Sequence, residues 1–311
     1  MSPPTITENF VDFDIPQAGK PCKTWYTIYG DLGTSKYPPL VVLHGGPGMP
    51  CNYLKPYGQL ASKSLIPVVL YDSIGCGNST LLPEKRGDGT FFNIDLHMNE
   101  LDNLLKGLGI EDEFNLLGHS YGALLGAWYA ATRKPQGLRR LILQSGPASL
   151  PLWDEAQMDL RYQLPKELQD ILDQHEASNT TDSPEYKEVV AEFTRRHVCR
   201  IEPAPKELQE TFDAAARDPT VVLTMYGDHE FETNGTLRGW SSINELDKIN
   251  IPTLIMNGRY DTAQDKVMKP FFDRIPRVRW IQFSESSHTA HLEIERERVM
   301  EVVIEFLTED V

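Results

Sequence analysis

The feature that most narrows the fold is a set of short, uninterrupted apolar runs spread along the chain. They are Leu40-Val41-Val42-Leu43, Val68-Val69-Leu70-Tyr71, Phe114-Asn115-Leu116-Leu117, Leu141-Ile142-Leu143, Thr253-Leu254-Ile255-Met256 and Val278-Arg279-Trp280-Ile281. Strands with this profile are buried on both faces, which is how a parallel sheet covered by helices reads in sequence. Helical patterns sit between or after several of them, at 95–108, 123–132 and 295–307. Strand–helix alternation predicts an α/β protein with a doubly wound, mostly parallel sheet. Ahead of it, the alternating stretches 10–15 and 24–29 predict two antiparallel strands joined by a turn at Gly19. From about Leu150 to Asn244 the buried-strand pattern stops, and polar amphipathic helices are expected at 153–160, 165–176, 184–195 and 205–216. The expected organisation is a core from 1–149 and 245–311, with 150–244 inserted as a helical cap domain.

Composition removes some classes of function. The net charge of −15 disfavours a nucleic-acid or anionic-membrane partner, because the long-range field repels both. No apolar run approaches the roughly 18 residues of a membrane span. Cys22, Cys51, Cys76 and Cys199 lie far apart and form no metal-binding spacing, so reduced cysteines, no metal and no cofactor are expected. The opening MSPPTITENF has neither a basic region nor an apolar one, and a cytoplasmic location is the expectation.

The chemistry concentrates at strand ends. Phe114–Leu117 leads into Gly118-His119-Ser120-Tyr121-Gly122-Ala123 and then a helical run, a strand–G-x-S-x-G–helix arrangement. The glycines allow a tight turn that holds Ser120 strained above the sheet, and the following helix turns its N-terminus toward the reacting centre. Ser120 is therefore the expected nucleophile. A second glycine-rich turn, His44-Gly45-Gly46-Pro47-Gly48, follows the first of the buried strands. Its main-chain N–H groups suit an oxyanion hole, with Gly46 preferred to Gly45 and the Tyr121 N–H as the second donor. Asp261 falls just past the 253–256 strand and His288 just past the 278–283 strand. Both reach the same sheet edge as Ser120, in the order serine, acid, histidine. His291 is the rival base, and Asp72 reads as a loop organiser rather than the acid.

Three motifs together, His44–Gly48, the stretch Tyr71-Asp72-Ser73-Ile74-Gly75-Cys76-Gly77-Asn78-Ser79, and Gly118–Gly122, resemble the proline iminopeptidase family. The likeness extends through Asn52-Tyr53-Leu54, Tyr226–Phe231, Gly258–Asp261 and Ser287-His288, and so covers nearly the whole chain. It looks closest to the branch holding the archaeal tricorn-interacting aminopeptidase and bacterial amino-acid amidases. The resemblance implies an α/β-hydrolase fold and a serine hydrolase that needs neither metal nor organic cofactor. It implies release of an unblocked N-terminal residue from a small peptide, amide or arylamide through an acyl-enzyme. Glu230 matches the family's cap glutamate that receives the substrate amine, with Asp228 and Glu232 as flanking alternatives, and Gly45 is expected to touch substrate.

Three positions depart from the family pattern. Thr262 stands where relatives carry a second glutamate beside the catalytic aspartate, Ser73 where the family usually has glutamine, and Ala123 where a glycine is usual. Thr262 and Ser73 bear on the substrate and leave a second reading open, an esterase or lactonase acting on a neutral small molecule. Other residues carry paired expectations. Trp153, Tyr162 and Trp240 either shape an acyl pocket or pack the cap. His175, His197 and His229 either line the entrance or sit on the cap surface. Cys51 and Cys76 lie near the site loops without serving as nucleophiles.

Overall fold

The computed structural model describes residues 4–309. Strands β1 (Ile6–Phe13) and β2 (Cys22–Tyr29) pair antiparallel, and Gly19 takes a φ of +70° in the turn between them. The chain continues through β3 (Leu40–Leu43), α1 (Gln59–Ser64), β4 (Val68–Tyr71), α2 (Ile94–Leu108), β5 (Phe114–His119), α3 (Tyr121–Thr132) and β6 (Leu138–Gln144). Five helices follow before the next strand: α4 (Leu150–Arg161), α5 (Lys166–Ala177), α6 (Pro184–His197), α7 (Lys206–Arg217) and α8 (Thr220–Met225). The chain closes with β7 (Thr253–Gly258), α9 (Asp265–Arg274), β8 (Val278–Phe283) and α10 (Arg296–Thr308).

The eight strands form one sheet in the order β1-β2-β4-β3-β5-β6-β7-β8, parallel from β4 to β8. Residues of α2, α3 and α9 pack in the apolar cluster on one face, and residues of α1 and α10 in the cluster on the other. A separate cluster of Leu160, Leu164, Leu172, Tyr186, Val189, Phe193 and Phe231 holds α4, α5 and α6 together, while α7 and α8 pack into the two sheet clusters. One expectation needs correction: β8 is not buried on both faces, because it is the sheet edge and exposes Arg279 and Gln282. Three helices escaped the sequence reading. Pro270 interrupts the pattern of α9, and α1 and α8 are each only six residues long. No helix among the described residues is long and apolar enough to cross a membrane.

The central crossing, β5 into α3, sets the position of the site. A Cβ on Gly118 would meet the Gly122 carbonyl oxygen at 2.0 Å, and one on Gly122 would meet the Leu43 carbonyl oxygen at 2.2 Å. The helix therefore lies against main chain of both β3 and β5. Overpacking such a contact costs about 1–3 kcal/mol. Gly109 also has a positive φ, +66°, but a Cβ there would meet nothing within 4 Å. Gly122→Ala is thus expected to lower the urea midpoint further than Gly109→Ala. The reverse order would overturn the close-packing argument.

Candidate active site

Ser120 leaves β5 with φ +57° and ψ −122° and caps the start of α3. This positive-φ conformation is sparsely populated and costs about 1–3 kcal/mol for an L-residue, so the surroundings must impose it. Its N–H donates to the Gln144 carbonyl at 2.9 Å, which ties the turn to β6.

Asp261 and His288 meet behind it. Their loops leave the ends of β7 and β8, and His288 Nδ1 lies 2.8 Å from Asp261 Oδ1. The same oxygen accepts the Ala263 N–H at 2.7 Å, and the Gly258 N–H reaches Oδ2 at 3.3 Å. Burial works to raise the Asp261 carboxyl, but the His288 charge, its hydrogen bond and the Ala263 N–H outweigh it and hold the carboxyl below its usual range. An ionised Asp261 keeps the His288 proton on Nδ1, which leaves Nε2 as the basic nitrogen. His288 and Ser120 line the same cavity. No hydrogen bond joins them among the described residues, and such contacts commonly tighten only in the reacting complex.

That cavity has a volume of about 230 Å³ and is lined by strand-end loops below and inserted helices above. Its walls are mainly apolar, with Met49, Trp153, Phe193, Leu208, Phe212 and Val222 prominent. Glu230 is the acid of its segment that lines the cavity. Asp228 instead accepts from Asn234 Nδ2 at 2.7 Å on the exposed side, and Glu232 is exposed. Glu230 is itself an exposed residue, yet the protein around its carboxyl desolvates it and raises it above the usual range. The two facts agree if its surface opens into the cavity rather than to bulk water. A smaller cavity of about 30 Å³ adjoins Ser120, and Gly46 and Tyr121 are in its wall. Neither the Gly46 nor the Tyr121 N–H has a partner among the described residues.

With this geometry in view, the relatives agree. The alpha/beta hydrolase fold family matches residues 38–294. The proline iminopeptidase of Clostridioides difficile is 34% identical, covering 97% of this chain and 98% of its own. The chain belongs to the proline iminopeptidase family of α/β-hydrolases. Among solved structures, the proline iminopeptidase of Mycobacterium smegmatis is 40% identical with a TM-score of 0.87, covering 97% of both chains. VinJ is 44% identical with a TM-score of 0.91, covering 98% of this chain and 99% of that one.

Set against the proline iminopeptidase pattern, the departures fall unequally. Ser73 lies outside the main cavity; its N–H donates to His44 Nε2 at 3.0 Å and its hydroxyl approaches the Cys76 sulfur. Its expected bearing on substrate is therefore not seen in the geometry. Ala123 is fully buried in α3. Thr262 does line the cavity, and its hydroxyl sits 3.0 Å from His288 Nδ1 and 3.3 Å from Asp261 Oδ1.

Several other expectations resolve. His291 is buried off the cavity, with Nδ1 on Gln144 Nε2 at 3.0 Å, so of the two candidates it is His288 that lines the cavity with Ser120. Asp72 accepts the Cys51 and Asn78 N–H groups, each at 2.8 Å, which is a loop-organising arrangement. Trp153 lines the cavity, but Tyr162 is 64% exposed and Trp240 packs edge-to-face on Trp128. These two sit at a helix end and in the core, where sequence spacing could not separate them from pocket residues. His175 is held by Thr180 and Ser183 on the exposed side of the inserted helices, and His197 bonds the Tyr260 carbonyl at 2.9 Å. His229, half-buried, sits beside Glu230 in sequence.

The sequence reading missed one element. The Gly45 N–H donates to the Tyr53 hydroxyl at 2.8 Å, and that hydroxyl lies 2.9 Å from His119 Nδ1. His119 Nε2 lies 2.9 Å from the His288 carbonyl oxygen. A carbonyl only accepts, so Nε2 carries the His119 proton, Nδ1 accepts from Tyr53, and the chain has a single direction. Burial, with the neighbouring His288 and His291 charges, holds His119 well below the usual histidine range and keeps this tautomer neutral. The Gly45 carbonyl is also engaged, by His44 Nδ1 at 2.9 Å and the Met49 N–H at 3.2 Å. Gly45 lines the cavity but has no main-chain polar group free, so a substrate contact there falls to its Cα, whereas the Gly46 N–H is free. Tyr53→Phe strands two buried polar partners, each loss costing about 1–3 kcal/mol. It is expected to lower stability and to reduce kcat more than it raises KM, as read by urea titration and steady-state kinetics.

Proposed function

We propose that this protein is an exopeptidase-type serine hydrolase that releases an N-terminal residue, proline among the substrates to test first, from small peptides, amides or arylamides. The observation that carries this reading is the pairing of Ser120 with an unpartnered, desolvated carboxylate, Glu230, in one mainly apolar cavity. An ammonium buried among apolar side chains needs a charged partner, and Glu230 supplies one in the cavity wall. In this scheme Ser120 Oγ attacks the carbonyl while His288 Nε2 takes its proton. The Gly46 and Tyr121 N–H groups receive the developing oxyanion, a contribution worth about 3–4 kcal/mol per donor. His288 then protonates the leaving amine, and water, deprotonated by the same nitrogen, releases the acyl group.

In this reading, residues 150–244 are a cap domain whose role is recognition. Four free, buried cysteines support a reducing compartment, consistent with the cytoplasm. The ester or lactone alternative drew on Thr262 and Ser73, and it loses force with Ser73 lying away from the cavity.

Glu230→Gln is expected to raise KM for prolyl or alanyl arylamides by about 10–100-fold, the worth of a charged hydrogen bond, with kcat little changed. The fold serves as control, checked by circular dichroism. Equal turnover of free-amine and N-acetylated arylamides by the unaltered enzyme would overturn the reading. The pH dependence follows from the sign of the Glu230 shift. Protonation removes the anchor, so KM rises as pH falls, and it does so from a higher pH than an ordinary carboxylate would require. A second rise in KM is expected as the substrate's own α-amine, with a pKa of about 8, deprotonates. Only the acid limb should vanish in Glu230→Gln.

A further inference from the structure

Thr262 leaves a chemical question. Its hydroxyl is turned to the Asp261–His288 pair, so it supplies no second group for an ammonium. Its main chain, however, does something else. The Thr262 carbonyl accepts Gln157 Nε2 at 3.3 Å, across 105 residues of sequence. Gln157 projects from α4, is only 4% exposed, and lines the same cavity as Ser120 and Glu230. Because the Thr262 oxygen can only accept, the amide orientation follows: NH₂ toward Thr262, and Oε1 away from it. Gln157 Oε1 has no hydrogen-bond partner among the described residues, and it is absent from the fully enclosed polar atoms left without one. A buried cavity-wall residue with an accessible, unpartnered oxygen presents that oxygen to the cavity.

We propose that Gln157 Oε1 is the second recognition group for the substrate amine, acting with Glu230 and oriented by the Thr262 main chain. The proposal rests on the free-amine reading above and specifies how it is met here. The anchor is one carboxylate plus one neutral carbonyl. An ammonium has three donors, so it can satisfy both acceptors at once. A single negative charge also makes amine binding depend on the ionisation of Glu230 alone, and a primary or secondary α-amine fits the site better than a neutral acyl group of the same shape.

The test uses the whole enzyme with three probes: a prolyl or alanyl arylamide, its N-acetyl counterpart, and a small neutral aryl ester. Gln157→Met keeps the side-chain length and removes the carbonyl. It is expected to raise KM for the free-amine arylamide about 10-fold or more, and to lower kcat/KM for it about 10-fold further than for the aryl ester, on the worth of a hydrogen bond to a charged group. Gln157→Glu, which adds a carboxylate, is expected to lower that KM at neutral pH and to add a second ionisation to its acid limb. The proposal is overturned if Gln157→Met leaves the free-amine KM unchanged while Glu230→Gln raises it. It is also overturned if Gln157→Met slows ester and arylamide equally, since Gln157 would then act only by holding Thr262. Failure of the parent enzyme to prefer the free amine over the N-acetyl probe is a separate result and would reject the free-amine reading itself.

Discussion

The strained turn at Ser120 is the constraint on which the rest of the site depends. A φ of +57° at a non-glycine residue is held only because main chain presses on it from several sides. Gly118 and Gly122 permit α3 to lie against two strands, and a Cβ on Gly146 would meet the Ser120 carbonyl oxygen at 2.2 Å. The Ser120 N–H is meanwhile fixed to Gln144 on β6. Three neighbouring segments thus converge on one residue, and the strain of about 1–3 kcal/mol is spread over a well-packed sheet centre. The first turn of α3 inherits its position from this arrangement, and with it the free Tyr121 N–H. The Gly46 N–H is brought to the same place from β3, against which Gly122 packs.

Beneath that turn lies a layer of buried polar groups that is directional, with His44 and His119 satisfied by specific tautomers and His291 Nε2 left without a partner. His44 donates through Nδ1 and accepts the Ser73 N–H at Nε2, which fixes it as neutral. His119 has the opposite tautomer, also neutral, between Tyr53 and the His288 carbonyl. Burial and the charge of His288 hold His291 low as well, at about 3. His119 and His291 therefore lie beside His288 without competing for its proton, while His44 organises the neighbouring loops. A buried polar network of this kind is costly if half-satisfied, because each orphaned group loses its hydration without recompense. Its completeness around Gly45 explains why Gly45 is spent on architecture while Gly46, with φ +108°, remains available.

The parts legible in sequence share a property: their signal is local. Buried apolar runs announced the sheet, glycines flanking a serine announced the turn, and an acid or histidine immediately after a strand announced its own place at the sheet edge. Glu230 was legible through family likeness, and the geometry distinguishes it from Asp228 and Glu232 by which of them faces inward. Tyr53, His119 and Gln157 were not singled out because their roles come from partners far away in the chain, with His119 meeting His288 across 169 residues. No periodicity or spacing encodes such a contact. Tyr162 and Trp240 fail for the converse reason, since an aromatic residue in an amphipathic helix reads alike whether it faces a pocket, the core or water.

The inserted helices are bound to the catalytic loops more closely than a simple cover would be. The His288 N–H donates to the His197 carbonyl at 3.2 Å, and the Thr289 N–H to the Val198 carbonyl at 3.0 Å. His197 closes α6, the helix that also contributes Phe193 to the cavity wall. On the opposite side, Gln157 of α4 reaches the Thr262 carbonyl. The His288 loop is thus hydrogen-bonded to the end of α6, and the Asp261 loop both to α6, through His197 and the Tyr260 carbonyl, and to α4. A displacement of those helices large enough to open the cavity must break these bonds or carry the loops with it. The same contacts that hold Phe193 and Gln157 in the cavity wall therefore also restrain Asp261 and His288, so that access to the cavity and alignment of the pair are mechanically one property of this fold.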